Sequence, residues 1–104
     1  MGRDARRYLG RDLNRRVLLT MDREYRGEVK AVVEEDVYDN WKGNQNALAV
    51  YFADGYRRIL GKGNTFELID QLGPDMDDWT GAVLMLFVGQ GETVKLEVIE
   101  PPAK

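Results

Sequence analysis

The sequence predicts an all-β domain with one short helix, on three observations. Residues 47–53, "ALAVYFA", alternate apolar side chains at the two-residue period of a strand and run into Asp54-Gly55, a strong hairpin signal. Residues 81–89, "GAVLMLFVG", are apolar at every position between two glycines, the pattern of a central strand with little solvent exposure. Between them lies one amphipathic stretch, opened by Gly61 and Gly63 and stopped by Gly73-Pro74, short enough for a single helix.

The remaining elements follow in chain order. "MGRDARRYLGRDLNRR" has no sustained apolar stripe and reads as a basic arm over residues 1–15, with Tyr8 and Leu9 as its anchors. From residue 16, "VLLTMDREYRGEVKAVV" has strand character, Val17, Leu19 and Met21 alternating with Leu18, Thr20 and Asp22. Gly27 falls inside it, where a long strand bulges or bends. "EEDVYDNWKGNQN" reads as a polar, turn-rich loop with Tyr38 and Trp41 in it. "YRRIL" is the return strand of the Asp54-Gly55 hairpin. Phe66, Ile69 and Leu72 mark one face of the helix, with Asn64 or Thr65 as its cap. "DMDDW" is an acidic loop, and Trp79 is expected to plug one end of the fold. After a Gly89–Gly91 turn, Val94, Leu96 and Val98 alternate against Lys95 and Glu97 in a last strand, and Pro101-Pro102 opens a tail over 101–104.

Strand, strand, strand, helix, strand, strand is the element order of the OB-fold, a five-stranded Greek-key barrel with a helix between its third and fourth strands. A barrel over residues 16–100 is therefore the expected architecture. An SH3-like barrel and an open α+β sheet are the competitors.

Composition narrows the chemistry. At 104 residues the chain is one domain, and 43% hydrophobic with 32% charged residues is globular rather than disordered. It has neither cysteine nor histidine. That removes disulfides, thiolate or imidazole metal ligands, and Ser-His or Cys-His nucleophile pairs, so no enzyme, cofactor or metal site is expected. No apolar run reaches the roughly 18 residues of a membrane span, so no membrane association and a cytoplasmic location are the expectation. The net charge of −3 is unevenly spread: residues 1–30 hold nine Lys/Arg against five Asp/Glu, and residues 31–104 hold six against thirteen. A basic segment on an acidic body suits an anionic partner guided to one face, or pairing within the chain itself.

"LGKGNTFELI", residues 60–69, has the look of a phosphate cradle: a strand end, Gly-Lys-Gly, then a helix. It is not a P-loop, which needs two glycines five apart before Lys-Ser/Thr. Its glycines serve the strand-to-helix corner, leaving Lys62 as a point charge for a phosphate. Single-stranded nucleic acid requires a basic groove and aromatic faces for stacking, and OB-folds place both on strands two and three and the loops beside them. Here that region offers Tyr51, Tyr56, Arg57 and Arg58, with Tyr38, Trp41 and Lys42 in the first loop and Lys62 at the corner. Lys42, Arg57, Arg58 and Lys62 would meet phosphates, and Tyr38, Trp41 and Tyr51 would stack bases. Glu34, Glu35, Asp36 and Asp39 share the loop and oppose phosphate binding. "DMDDW" lacks the glycine and final glutamate of a calcium loop and reads as solvated.

Several stretches together resemble a family of small phage and prophage proteins: "YLGRDL" (Tyr8–Leu13), "RVLLTM", "AVYF", "LGKGN", and "QLGPDMDDWTG" (Gln71–Gly81), followed by an apolar strand. The resemblance spans roughly residues 8–100. It implies an OB-fold, and single-stranded DNA binding in phage replication or recombination. The chain departs from the family pattern where Gly61 and Gly63 stand for Asn and Thr, and where Ala82 stands for a basic residue. The expected function is thus single-stranded DNA binding with low sequence preference. The alternative is a protein-interaction or assembly module on the same barrel, meeting a protein partner or itself.

Overall fold

The computed structural model describes residues 12–39, 41 and 43–102. Most of the basic arm, residues 1–11, lies outside them. In chain order the elements are α1 (Arg15–Leu19), β1 (Glu24–Asp39), β2 (Gly43–Phe52), β3 (Arg57–Ile59), α2 (Lys62–Leu72), a 3-10 turn (Met76–Trp79), β4 (Val83–Val88), a second 3-10 turn (Gln90–Glu92) and β5 (Val94–Glu100). The strands form one five-stranded antiparallel sheet in the order β3-β2-β1-β4-β5. It is open, with β3 and β5 at its two ends.

The expected strand beginning at residue 16 is a helical turn instead. Asn14 accepts a 2.9 Å hydrogen bond from the Val17 N–H, the capping geometry that starts a helix. Val17 and Leu18 are then buried side by side, and Leu19 is 40% exposed. Asp22 and Arg23, both at positive φ (56° and 67°), turn the chain out of α1 into β1. The apolar alternation of residues 17–21 belongs to a helix too short to show its own period.

β1 is the organising strand. Its first part, Glu24–Glu28, pairs with β4, and from Val29 onward it pairs with β2. The register slips by one residue between Val29 and Ala31. Val29 and Val32 both face the core in consequence, three positions apart, which a regular strand forbids. Two residues before the slip, Gly27 lets rings approach. A Cβ there would stand 2.5 Å from the Tyr25 hydroxyl and 2.9 Å from Phe52 Cδ1.

The polar stretch over residues 34–46, expected as a loop, is mostly strand: the β1–β2 ladder runs on from Glu34↔Leu48 to Asp39↔Gly43. This part of the hairpin outruns the core, so its side chains need not alternate in polarity while its backbone stays paired. The Asp54-Gly55 hairpin joins β2 to β3 as expected, with Gly55 at φ 95° and its N–H on the Phe52 carbonyl.

α2 also departs from the expected face. Phe66 is 67% exposed and Ile69 38%, whereas Leu68 and Asn64 are buried and Leu72 packs against the core. Asn64 does not cap the helix; Gly61 occupies the cap position, and the Thr65 hydroxyl donates to the Gly61 carbonyl. Asn64 turns inward because a buried polar partner awaits it there. Its Nδ2 donates to the Val94 carbonyl of β5, and seven residues on Gln71 Oε1 accepts from the Val98 N–H. Two turns of helix thus lie against the outer edge of β5, engaging its backbone with side-chain amides.

The core gathers Leu13, Val17, Leu18, Val29, Val50, Phe52, Leu68, Leu84, Leu86 and Leu96 around Trp79, which is 1% exposed and donates its indole N–H to the Gly73 carbonyl at 2.9 Å. β4 has little exposure on either face, and Val94, Leu96 and Val98 turn inward from β5, both as the sequence predicts. No helix among the described residues is long and apolar enough to cross a membrane.

Candidate nucleic-acid interface

Strand alternation sorts the candidate residues onto two faces. Leu48, Val50 and Phe52 of β2 look into the core, so Ala47, Ala49 and Tyr51 look outward. Pairing extends that outer face to Ala31, Val33 and Glu35 of β1 and to Arg57 and Ile59 of β3. Tyr51, Glu35 and Arg57 group on this face, while Ala49 at its centre is fully buried and Ala31, Ala47 and Ile59 are half-buried.

That group is tightly bonded. Arg57 donates through Nε to Asp12 at 2.5 Å and through Nη1 to Glu35 at 2.6 Å. Tyr51 donates its hydroxyl to the other Glu35 oxygen. The hydrogen bond with Asp12 is the main cause that raises Arg57 above the ordinary guanidinium value; burial works against it, and Tyr51 and the Glu35 charge add to it. Asp12 reaches Arg57 because its own segment lies along the outer side of β3. Asp12 forms a parallel bridge with Arg57, and the Leu13 N–H donates to the Arg57 carbonyl at 2.6 Å.

Arg58, one residue on, faces the other way. Its Nε and Nη2 donate to Asn64 Oδ1 at 3.1 and 2.9 Å, and its Nη1 donates to the Leu13 carbonyl at 3.0 Å. Desolvation lowers its affinity for a proton, and the Asp12 charge partly offsets this. Tyr56 is likewise inward, edge-on to Tyr25 with ring centroids 5.5 Å apart. Tyr25 in turn meets Phe52 at 5.1 Å and donates its hydroxyl to both oxygens of Asp54, at 2.6 and 2.7 Å. Burial first, and the Asp54 carboxylate second, push the Tyr25 hydroxyl well above its usual value.

Trp41 is 94% exposed in the turn between β1 and β2. Tyr38 lies three residues before it on β1, opposite Asn44. Lys42 lies outside the described residues. Lys62 is exposed at the first residue of α2, one residue past the cap. The structure thus brings Tyr51 and Arg57 together on the outer face, sets Trp41 in the hairpin turn, and directs Tyr56 and Arg58 into internal networks.

Four residues that shape this region, Asp12, Glu35, Asn64 and Asp54, do not stand out as site residues in the sequence. Asp12 sits in a segment read as an arm, and Glu35 in a stretch read as a loop. The one available signal is the parity of Glu35 with Ala47 and Tyr51, which requires the hairpin register to be known.

No protein-family model, curated protein or solved structure matches the chain.

Proposed function

We propose that this chain binds single-stranded DNA with low sequence preference, as a phage replication or recombination type of protein acting in the cytoplasm. The surface used is the outer face of β1, β2 and β3 with the hairpin turn beside it. Strand order supports an OB-type reading: β3-β2-β1-β4-β5 has the neighbours of the five-stranded barrel except for the closing pair of β3 with β5, and α2 falls between β3 and β4. The resemblance of residues 8–100 to small phage proteins points the same way. The observation that carries the function is Trp41, an indole 94% exposed in the loop that flanks the nucleic-acid face of an OB-fold. Trp41, Tyr38 and Tyr51 stack bases, and Arg57, Lys42 and Lys62 meet phosphates. Titration of tryptophan fluorescence with oligo(dT) at low salt tests this. Saturable, salt-sensitive quenching that is lost in Trp41→Phe supports it, and no response up to about 100 µM protein rejects it.

A second reading has its own observation. Arg57 and Arg58 spend their donors inside the molecule, and the hairpin exposes Glu34 and Asp36. That arrangement suits a protein-interaction or assembly module without nucleic-acid binding. A defined oligomer in light scattering, unchanged by oligo(dT), identifies this case.

A further inference from the structure

We infer that Asp12 and Glu35 are resident anions on Arg57, placed where a phosphate would bind, so that the outer face binds nucleic acid only as Asp12 is displaced. This rests on the DNA-binding reading above and concerns the regulation of the same surface.

The argument begins with guanidinium geometry. Arginine offers a planar fork of donors that carboxylate and phosphate oxygens satisfy alike. On Arg57 two such oxygens are already in place, from Asp12 at 2.5 Å and Glu35 at 2.6 Å. They come from different elements. Glu35 is fixed in the middle of the β1–β2 ladder and holds the Tyr51 hydroxyl as well. Among the described residues Asp12 is joined to Arg57 by an isolated parallel bridge and its carboxylate, and its carbonyl accepts from the Asn14 N–H. Its side chain is 40% exposed against 25% for Glu35.

The next residue explains how Asp12 moves without unfolding the domain. Leu13 is fully buried in the core, its N–H is on the Arg57 carbonyl, and its carbonyl receives Arg58. Leu13 is therefore an anchor that stays in place when the Asp12 carboxylate leaves Arg57. Release of Asp12 uncovers one side of the Arg57 fork while Glu35 keeps the guanidinium aimed along the outer face beside Tyr51. An incoming phosphate then replaces one carboxylate with another anion of matching shape. The protein loses little, because the exchanged interactions are of the same kind.

Removing the carboxylate charges while keeping their shape tests this. Asp12→Asn, Glu35→Gln and the double variant are titrated with oligo(dT) beside the unaltered protein, with circular dichroism to establish folding. The double variant is expected to bind about tenfold more tightly, with a salt dependence steeper by about 0.7 in log–log slope, the increment for one more phosphate contact on a single strand. Each single variant carries part of the gain, so the test survives if the double variant folds poorly. Arg57→Ala in the double-variant background should abolish the gain. Glu34→Gln with Asp36→Asn supplies the control. It likewise removes two carboxylate charges, both from the strand that carries Glu35, at positions that alternation places on the opposite face. An equal gain from that pair would mean general electrostatics and would overturn the inference. Unaltered affinity in the Asp12 and Glu35 variants, with the parent protein binding, would overturn it while leaving the DNA-binding reading intact. Binding by none of the proteins rejects both.

Discussion

Asn64 accepts two hydrogen bonds from the Arg58 guanidinium with its amide oxygen while its amide nitrogen donates to the Val94 carbonyl. One side chain of α2 thereby links β3 and β5, the two strands that end the open sheet. The linkage also satisfies a guanidinium drawn in from water, which explains why a polar residue occupies a buried helix position. Asn64→Ala leaves Arg58 with the Leu13 carbonyl as its acceptor among the described residues and should cost about 2–3 kcal/mol, the scale of hydrogen bonds to a charged group. Asn64→Leu should cost as much despite its larger apolar surface, since the guanidinium remains unsatisfied. Urea denaturation midpoints at neutral pH check both.

Gly27 is expected to tolerate no side chain at all. The Cβ of Gly27→Ala would sit within 3 Å of Tyr25 Oη, Tyr25 Cε1 and Phe52 Cδ1, so the Tyr25 ring must move and its bonds to Asp54 must stretch. A loss of about 1–3 kcal/mol follows from such overpacking. In a Tyr25→Phe background the same substitution should cost less, because the closest contact is the hydroxyl. A double-mutant cycle measures that coupling.

Tyr25 also gives the protein a pH dependence on the alkaline side. Its hydroxyl is held protonated in the folded state beyond the usual value near 10, by burial and then by Asp54. The unfolded chain therefore loses this proton first. The contribution to stability is complete below the unfolded value and declines as pH rises above it toward the folded one. Stability should fall above about pH 10 with a slope up to roughly 1.4 kcal/mol per pH unit from this group. Comparison with Tyr25→Phe, whose slope should be shallower by that amount, separates it from the lysines and the other tyrosines.

The two tryptophans should report different surroundings. Trp79, 1% exposed, should emit in the blue and resist acrylamide, whereas Trp41, 94% exposed, should emit in the red and be readily quenched. Trp41→Phe and Trp79→Phe assign the two signals. Any DNA-dependent change should then reside with Trp41.

Where an element is committed to the core, the fold is legible from residue order. The alternation in 47–53, the apolar run in 82–88 and the turn at Asp54-Gly55 each declare a strand or its end, because those strands bury one face or most of both. Residues 34–46 declare nothing, since that half of the hairpin extends past the core and backbone pairing alone holds it. α1 is too short for a helical period, and its start depends on the single Asn14 cap. The candidate interface was legible as a collection of residue types but not as an arrangement. Arg57 and Arg58 are adjacent and chemically identical, and only the register of β3 against β2 sends one outward to Glu35 and the other inward to Asn64.

The slip in β1 between Val29 and Ala31 acts as a phase shift in the chain. Upstream of it, odd-numbered residues such as Tyr25 and Val29 meet the core; downstream, Val32 meets it and the odd-numbered Ala31, Val33 and Glu35 meet solvent. Deletion of Lys30 would therefore leave the assignment intact, with Val29 and Ala31 running on as neighbours opposite Phe52 and Tyr51 and Glu35 still paired across from Ala47. The extra residue sets the bend that lets one strand serve β4 and then β2. The chain can lose it without moving an acid off the outer surface.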